Sequence, residues 1–209
     1  MSFCLFAVFS EPFADIDAVI NRVHGLLKAH LYTPAGAHDP ILNDAESPPL
    51  VVQFYFDSLP SLEDACDGAL QALKERCEVQ AMLVRPFAVA QPKTPDCTYL
   101  VAYEGKAEDE NAWHSHYLKH HPPLMLRLPG IRELEIYTPV VWLSDSGWRR
   151  VNCTQRNKVA FDSAEALTAA LHSPVRVEMR QDFASLPRFT GRVTHYPMST
   201  RVRVFSQHT

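Results

Sequence analysis

Residues 25–34, GLLKAHLYTP, are answered 105 positions later by residues 130–139, GIRELEIYTP. Both stretches open on Gly and close on Tyr-Thr-Pro. A third match, Phe56-Asp57-Ser58 against Phe161-Asp162-Ser163, falls at the same offset. Each tripeptide is weak alone, but matches sharing one offset indicate an internal duplication. Because Tyr-Thr-Pro occurs in both halves, it reads as scaffold rather than chemistry.

Working outward, residues 3–9 (FCLFAVF) have the length and composition of a strand. Ile16, Val19, Ile20 and Val23 then recur at helical spacing, with Asp15 as the N-cap and Gly25 as the C-terminal stop. Residues 35–49 carry three prolines and read as a loop. Leu50–Phe56 (LVVQFYF) is the strongest strand signal. Ser61 begins a second helix, and Val79–Val89 reads as a strand broken by Pro86. The second half follows the same order. Tyr99–Tyr103 is a strand, Asn111–Leu128 a helix, and Ile131–Val141 and Lys158–Phe161 are strands. Ser163 caps a helix over Ala164–Leu171, and Val193–Val204, with Pro197 inside it, is the last strand.

Each half is thus β-α-β-β-α-β, joined by the proline-containing linker 91–97, which gives units at residues 1–90 and 98–209. Such a unit carries both helices on one face of an antiparallel sheet. LVVQFYF is apolar on both faces, so the sheet's bare face needs a cover. Two units in one chain cover each other. The expected fold is α+β, with two ferredoxin-like repeats whose antiparallel sheets pack as an α+β barrel. The last strand alternates Arg201 and Arg203 with Val202 and Val204, an edge that either pairs with another subunit or is guarded by its charge, and a homodimer is expected.

Composition bounds the partners. The 209 residues are 46% hydrophobic and 21% charged, with net charge −4 and pI near 6.2. That balance argues against nucleic acid or an anionic membrane as the main partner. Five cysteines without C-x-x-C spacing suit reduced thiols in the cytoplasm and give no zinc signature. The apolar start lacks a basic flank and is too short to span a bilayer.

The densest chemistry lies in residues 111–130, NAWHSHYLKHHPPLMLRLPG. The run Trp113…Tyr117…His121-Pro122-Pro123-Leu124…Leu128-Pro129-Gly130, followed by Tyr137, resembles the EthD family of the dimeric α+β barrel superfamily. Val159–Ser163, Leu171-His172-Ser173-Pro174 and Asp182 extend the resemblance, which covers about residues 98–198. The first half has no His-x-Pro, no Leu-Pro-Gly and no match to Asp182, so it is similar to a degenerate copy. The superfamily includes polyketide cyclases, cofactor-free monooxygenases, lactone isomerases and haem-degrading enzymes. The resemblance therefore implies a pocket in the second repeat, facing the gap between the sheets, without fixing a reaction.

Trp113, Tyr117 and His121 fall at i, i+4, i+8 and share one helix stripe, suited to lining an apolar pocket for a flat ligand. His121 precedes Pro122, which is expected to end the helix and extend the backbone there. An imidazole titrating near neutrality suits general acid or base work, with Asp182, in the loop before the last strand, orienting the ring. Tyr137 on the following strand completes the binding set. The same residues also have plain structural uses: aromatics at helical spacing serve as core, a His before Pro caps helix carbonyls, and Asp182 serves as a turn residue. His116 and His120 have metal-binding spacing, but no third ligand accompanies them and no metal is expected. No Gly-rich phosphate loop and no G-x-S-x-G elbow is present, and no cofactor is expected.

The functional expectation is binding of a small hydrophobic, aromatic or polyketide-like molecule between the sheets. A cofactor-free monooxygenase, isomerase or cyclase using His121 would follow from that. A haem-binding relative and a non-catalytic ligand-binding or assembly subunit stand as alternatives.

Overall fold

The computed structural model describes residues 2–42 and 46–206. In chain order the first repeat comprises β1 (Ser2–Phe9), α1 (Ile16–Ile20), β2 (Lys28–Pro34), β3 (Leu50–Phe56), α2 (Leu59–Asp67) and β4 (Cys77–Phe87). The second comprises β5 (Cys97–Ala107), α3 (Glu110–Met125), β6 (Glu133–Pro139), β7 (Gln155–Phe161), α4 (Ala164–Leu171), α5 (Val175–Ala184) and β8 (Phe189–Val204). β2 and β6, and likewise β3 and β7, stand at the offset read from the sequence. Gly25 and Gly130 both adopt left-handed backbone, at φ 71° and 76°, which a side chain would strain. Ser58 and Ser163 each cap the following helix, accepting from the N–H of Ser61 and Ala166.

The eight strands close into one antiparallel barrel in the order β1-β3-β2-β8-β5-β7-β6-β4. The two sheets therefore do more than face each other, because their edges join. β2 pairs with β8 from Lys28↔Val204 to Pro34↔Met198, and β4 with β6 from Met82↔Pro139 to Phe87↔Leu134. This corrects the expected route to a homodimer. The Arg201–Val204 edge is spent on β2 of the same chain, and Arg201 and Arg203 form ion pairs with Asp17.

Strand alternation divides the apolar residues into three cores. On β1, Leu5, Ala7 and Phe9 pack under the first repeat's helices, while Cys4 and Phe6 point into the barrel. On β5, Cys97, Tyr99, Val101 and Tyr103 pack under α3–α5, while Leu100 points inward. All five cysteines are buried and unpaired.

Several local expectations are corrected. α1 is a short helix ending at Ile20, without a side-chain cap from Asp15. The cap of α2 is Ser58, not Ser61, and the chain enters the helix through Pro60. β4 runs straight through Pro86, which pairs with Glu135. α3 does not stop at His121; it continues through Pro122 and Pro123 to Met125. Two prolines remove two intrahelical donors, yet Pro122 and Met125 are both buried there, so tertiary packing prevails over the local preference. Residues 35–42 and 46–49 lack regular structure as expected; residues 43–45 of that loop lie outside the described residues. The repeats differ in their helices: α3 spans 16 residues against 5 for α1, and α5 replaces a single 3-10 turn at Ala69–Leu73.

Candidate functional site

A cavity of about 400 Å³ lies between the second repeat's sheet and its helices, on the outer face of the barrel wall. Val101, Val159 and Val193 form its floor, and Met125, Leu171, Met179 and Phe183 its roof. Its polar lining is His121, Asn157, Arg176, Arg180 and His195 together with the hydroxyl-bearing Tyr99 and Tyr103. The size falls within the ordinary range for small-molecule sites. The expectation of a pocket between the sheets is corrected. The barrel interior holds Phe6, Tyr32, Tyr55, Tyr137 and Met198, and a cavity of about 60 Å³ lies near Phe6, Leu100 and Arg156.

α3 presents His121, 5% exposed, to the cavity. Its Nδ1 lies 2.7 Å from Oδ2 of Asp182. Asp182 is on α5 rather than in a loop, so the pair joins two packed helices. A carboxylate only accepts, so Nδ1 carries the hydrogen and the neutral ring keeps its lone pair on Nε2. Nε2 makes no hydrogen bond among the described residues. Burial lowers the imidazole's pKa below its ordinary 6.5; Asp182 pulls it upward without offsetting that, and Arg176 lowers it further. At neutral pH the ring is thus an oriented, uncharged base. The other oxygen of Asp182 lies 3.5 Å from His116 Nε2 near the surface.

Of the expected binding residues, Trp113 and Tyr117 stack behind His121 instead of lining the cavity. Ring centroids are 5.2 Å apart for Trp113–Tyr117 and 4.7 Å for Tyr117–His121. Both aromatics are fully buried. The Tyr117 hydroxyl accepts from Asn157 Nδ2 at 2.6 Å and lies 3.4 Å from the Tyr103 hydroxyl. They form the wall that fixes the imidazole. Tyr137 is not part of this group. It points into the barrel, where its hydroxyl and that of Tyr55 each donate to Glu135 Oε2 at 2.6 Å. Lys158, fully buried, reaches Glu133 at 2.9 Å and Glu135 at 3.2 Å beside them. Burial alone would raise the Glu135 carboxyl, but Lys158, Lys28 and the two tyrosines hold it down at about 2.

Other residues complete the site. Asp39, from the first repeat's loop, accepts from Tyr99 Oη and from Arg176 Nη2, and Leu42 of the same loop lines the cavity. Asn157 did leave a signal: Gln155–Lys158 are four polar residues on a strand buried throughout. Arg176 and Asp39 left none. The His116 and His120 rings approach to 4.6 Å, and no cluster of three metal-ligating side chains exists among the described residues.

No family model matches the sequence, and no curated protein does. Solved structures do match. An anthrone oxidase-like protein superposes with TM-score 0.63 at 10% identity, over 97% of this chain and 93% of that one. A mutant chlorite dismutase from Candidatus Nitrospira defluvii, in complex with cyanide, gives 0.57 at 10% identity, over 95% and 90%. An EthD family protein from Bacillus halodurans C-125 is 19% identical and covers 53% of this chain and 99% of that one, with TM-score 0.37. The chain has the dimeric α+β barrel fold, with both halves supplied by one polypeptide. At these identities the likeness is one of fold. Among the described residues no helix is long and apolar enough to cross a membrane.

Proposed function

We propose that the protein binds a small apolar, aromatic or polyketide-like molecule in the cavity beneath α3–α5, and that His121, oriented by Asp182, acts on it as general base or acid without a cofactor. The carrying observation is a neutral imidazole, fixed through Nδ1 and unbonded at Nε2, lining an apolar cavity of about 400 Å³. The units at residues 1–90 and 98–209 are then scaffold and site-bearing half, the first lending only its loop at Asp39 and Leu42.

The test is binding followed by turnover. Nile red, a neutral apolar dye, should brighten with the wild-type protein and not with Val159→Trp, which fills the floor. Anthrone, suggested by the fold likeness, is the first substrate to assay. Proton removal from its ring CH₂ gives an anion that dioxygen oxidises to anthraquinone, consuming one dioxygen and releasing one water. Loss of oxygen uptake in His121→Ala with dye binding intact supports an enzyme. Intact binding with no turnover of any aromatic ketone by the wild type supports a ligand-binding or assembly subunit.

A haem-binding reading is favoured by one feature. A carboxylate-held imidazole with its other nitrogen unbonded is how an iron-ligating His is arranged. His121 would hold the iron, with Arg176 and Arg180 near the ring's acidic groups, and haem would supply redox chemistry. Titration with haemin giving no Soret shift in either redox state ends this reading.

We place the protein in the cytoplasm, a reading supported by its five unpaired, buried thiols. A homodimer is proposed through a surface other than the Arg201–Val204 edge, supported by the exposed Val141 and Leu143. Light scattering showing one chain per particle overturns it.

A further inference from the structure

Within the apolar cavity one charge is only partly matched. Arg176, on α5, is 8% exposed and lines the cavity. Its Nη2 donates to Asp39 Oδ2 at 2.9 Å. Its Nε is enclosed with no hydrogen-bond partner, and Nη1 makes no hydrogen bond among the described residues. Asp39 is itself shared. Tyr99 Oη also donates to Oδ2, while the N–H groups of Ile41 and Leu42 donate to Oδ1 at 2.8 and 3.2 Å. A carboxylate divided among four donors leaves a guanidinium fork with donors unanswered, in surroundings where an unanswered donor is costly. Arg180 brings a second cation to the same lining. The other nearby carboxylate, Asp182, is engaged by His121.

We propose that the ligand of this cavity is an apolar acid. Its carboxylate docks on Nη1 of Arg176, the unbonded donor that is not enclosed, and its hydrocarbon body lies among Val101, Met125, Val159 and Phe183. The proposal rests on the apolar-ligand reading and narrows it. It also gives the first repeat a task, because Asp39 aims the guanidinium that selects the ligand. Planar, charge-assisted pairing is what an arginine provides there and a lysine does less well.

The test uses the full chain and a matched pair, 2-naphthoate and 2-naphthylmethanol, each displacing Nile red. The expected result is that the wild type binds the acid about tenfold or more tighter than the alcohol. Arg176→Gln should bring the acid to within about twofold of the alcohol measured in the same variant. Arg176→Lys, which keeps the charge, should retain part of the preference and serves where the Gln variant fails to fold. Equal affinities in the wild type, or an undiminished preference in Arg176→Gln, overturn the proposal. Bound dye that neither compound displaces overturns the cavity reading itself, and this proposal with it.

Discussion

His121 Nδ1 and Asp182 Oδ2 lie 2.7 Å apart although 61 residues separate them in the chain. The contact ties α3 to α5, the two helices by which the second repeat differs from the first, and it fixes the ring's proton on the side away from the cavity. Asp182 is the influence that raises the His121 pKa against burial. Asp182→Asn should therefore lower it further. Following the imidazole proton signals by NMR across a pH titration checks this; an unchanged or higher midpoint refutes the assigned role.

His121 and His30 are both held below their ordinary pKa of 6.5, chiefly by burial. Below pH 6.5 the unfolded chain takes up these protons and the folded one does not until the lower folded values are reached. Stability should thus fall as pH drops through that window and be independent of these two groups above it. Urea unfolding at pH 7.5, 6.5 and 5.5 measures the slope, and His121→Asn should flatten it.

Lys158 is enclosed with Glu133, Glu135, Tyr55 and His30 around its ammonium group. Lys158→Met should cost about 3–5 kcal/mol, because it leaves the buried Glu135 carboxylate with only the half-exposed Lys28, 3.9 Å away, as a counterion. Adding Glu135→Leu should recover part of that loss. Chemical denaturation of the single and double variants decides whether the two effects couple.

Trp113 is fully buried, stacked on Tyr117, and absent from the cavity lining. Trp113→Ala should cost about 3–5 kcal/mol of stability while leaving Nile red affinity within about twofold wherever the variant is folded, since a wall residue acts on the ligand only through the wall. Thermal melts and dye titration separate the two quantities.

The repeat signal at Gly25 and Gly130 carried most of the architecture, because left-handed turns and strand ends leave local marks that survive in both copies. Helical spacing, not the repeat, placed His121 beside Tyr117 and Trp113, since neighbours four residues apart on a helix are fixed by helical geometry alone. The stop expected at Pro122 was wrong because a local backbone preference yielded to burial, which the local sequence does not encode.

By itself the sequence determined the two-copy plan, the strands, the helices other than α5, and the aromatic stripe ending in His121. Only the tertiary structure decided which way each strand faces. Barrel closure turned Tyr137 and Lys158 inward and left Asn157 outward under the helices. It alone brought Asp39 to Arg176 across 137 residues. Periodicity reports that alternate residues part company; which side meets which neighbour depends on how distant edges join.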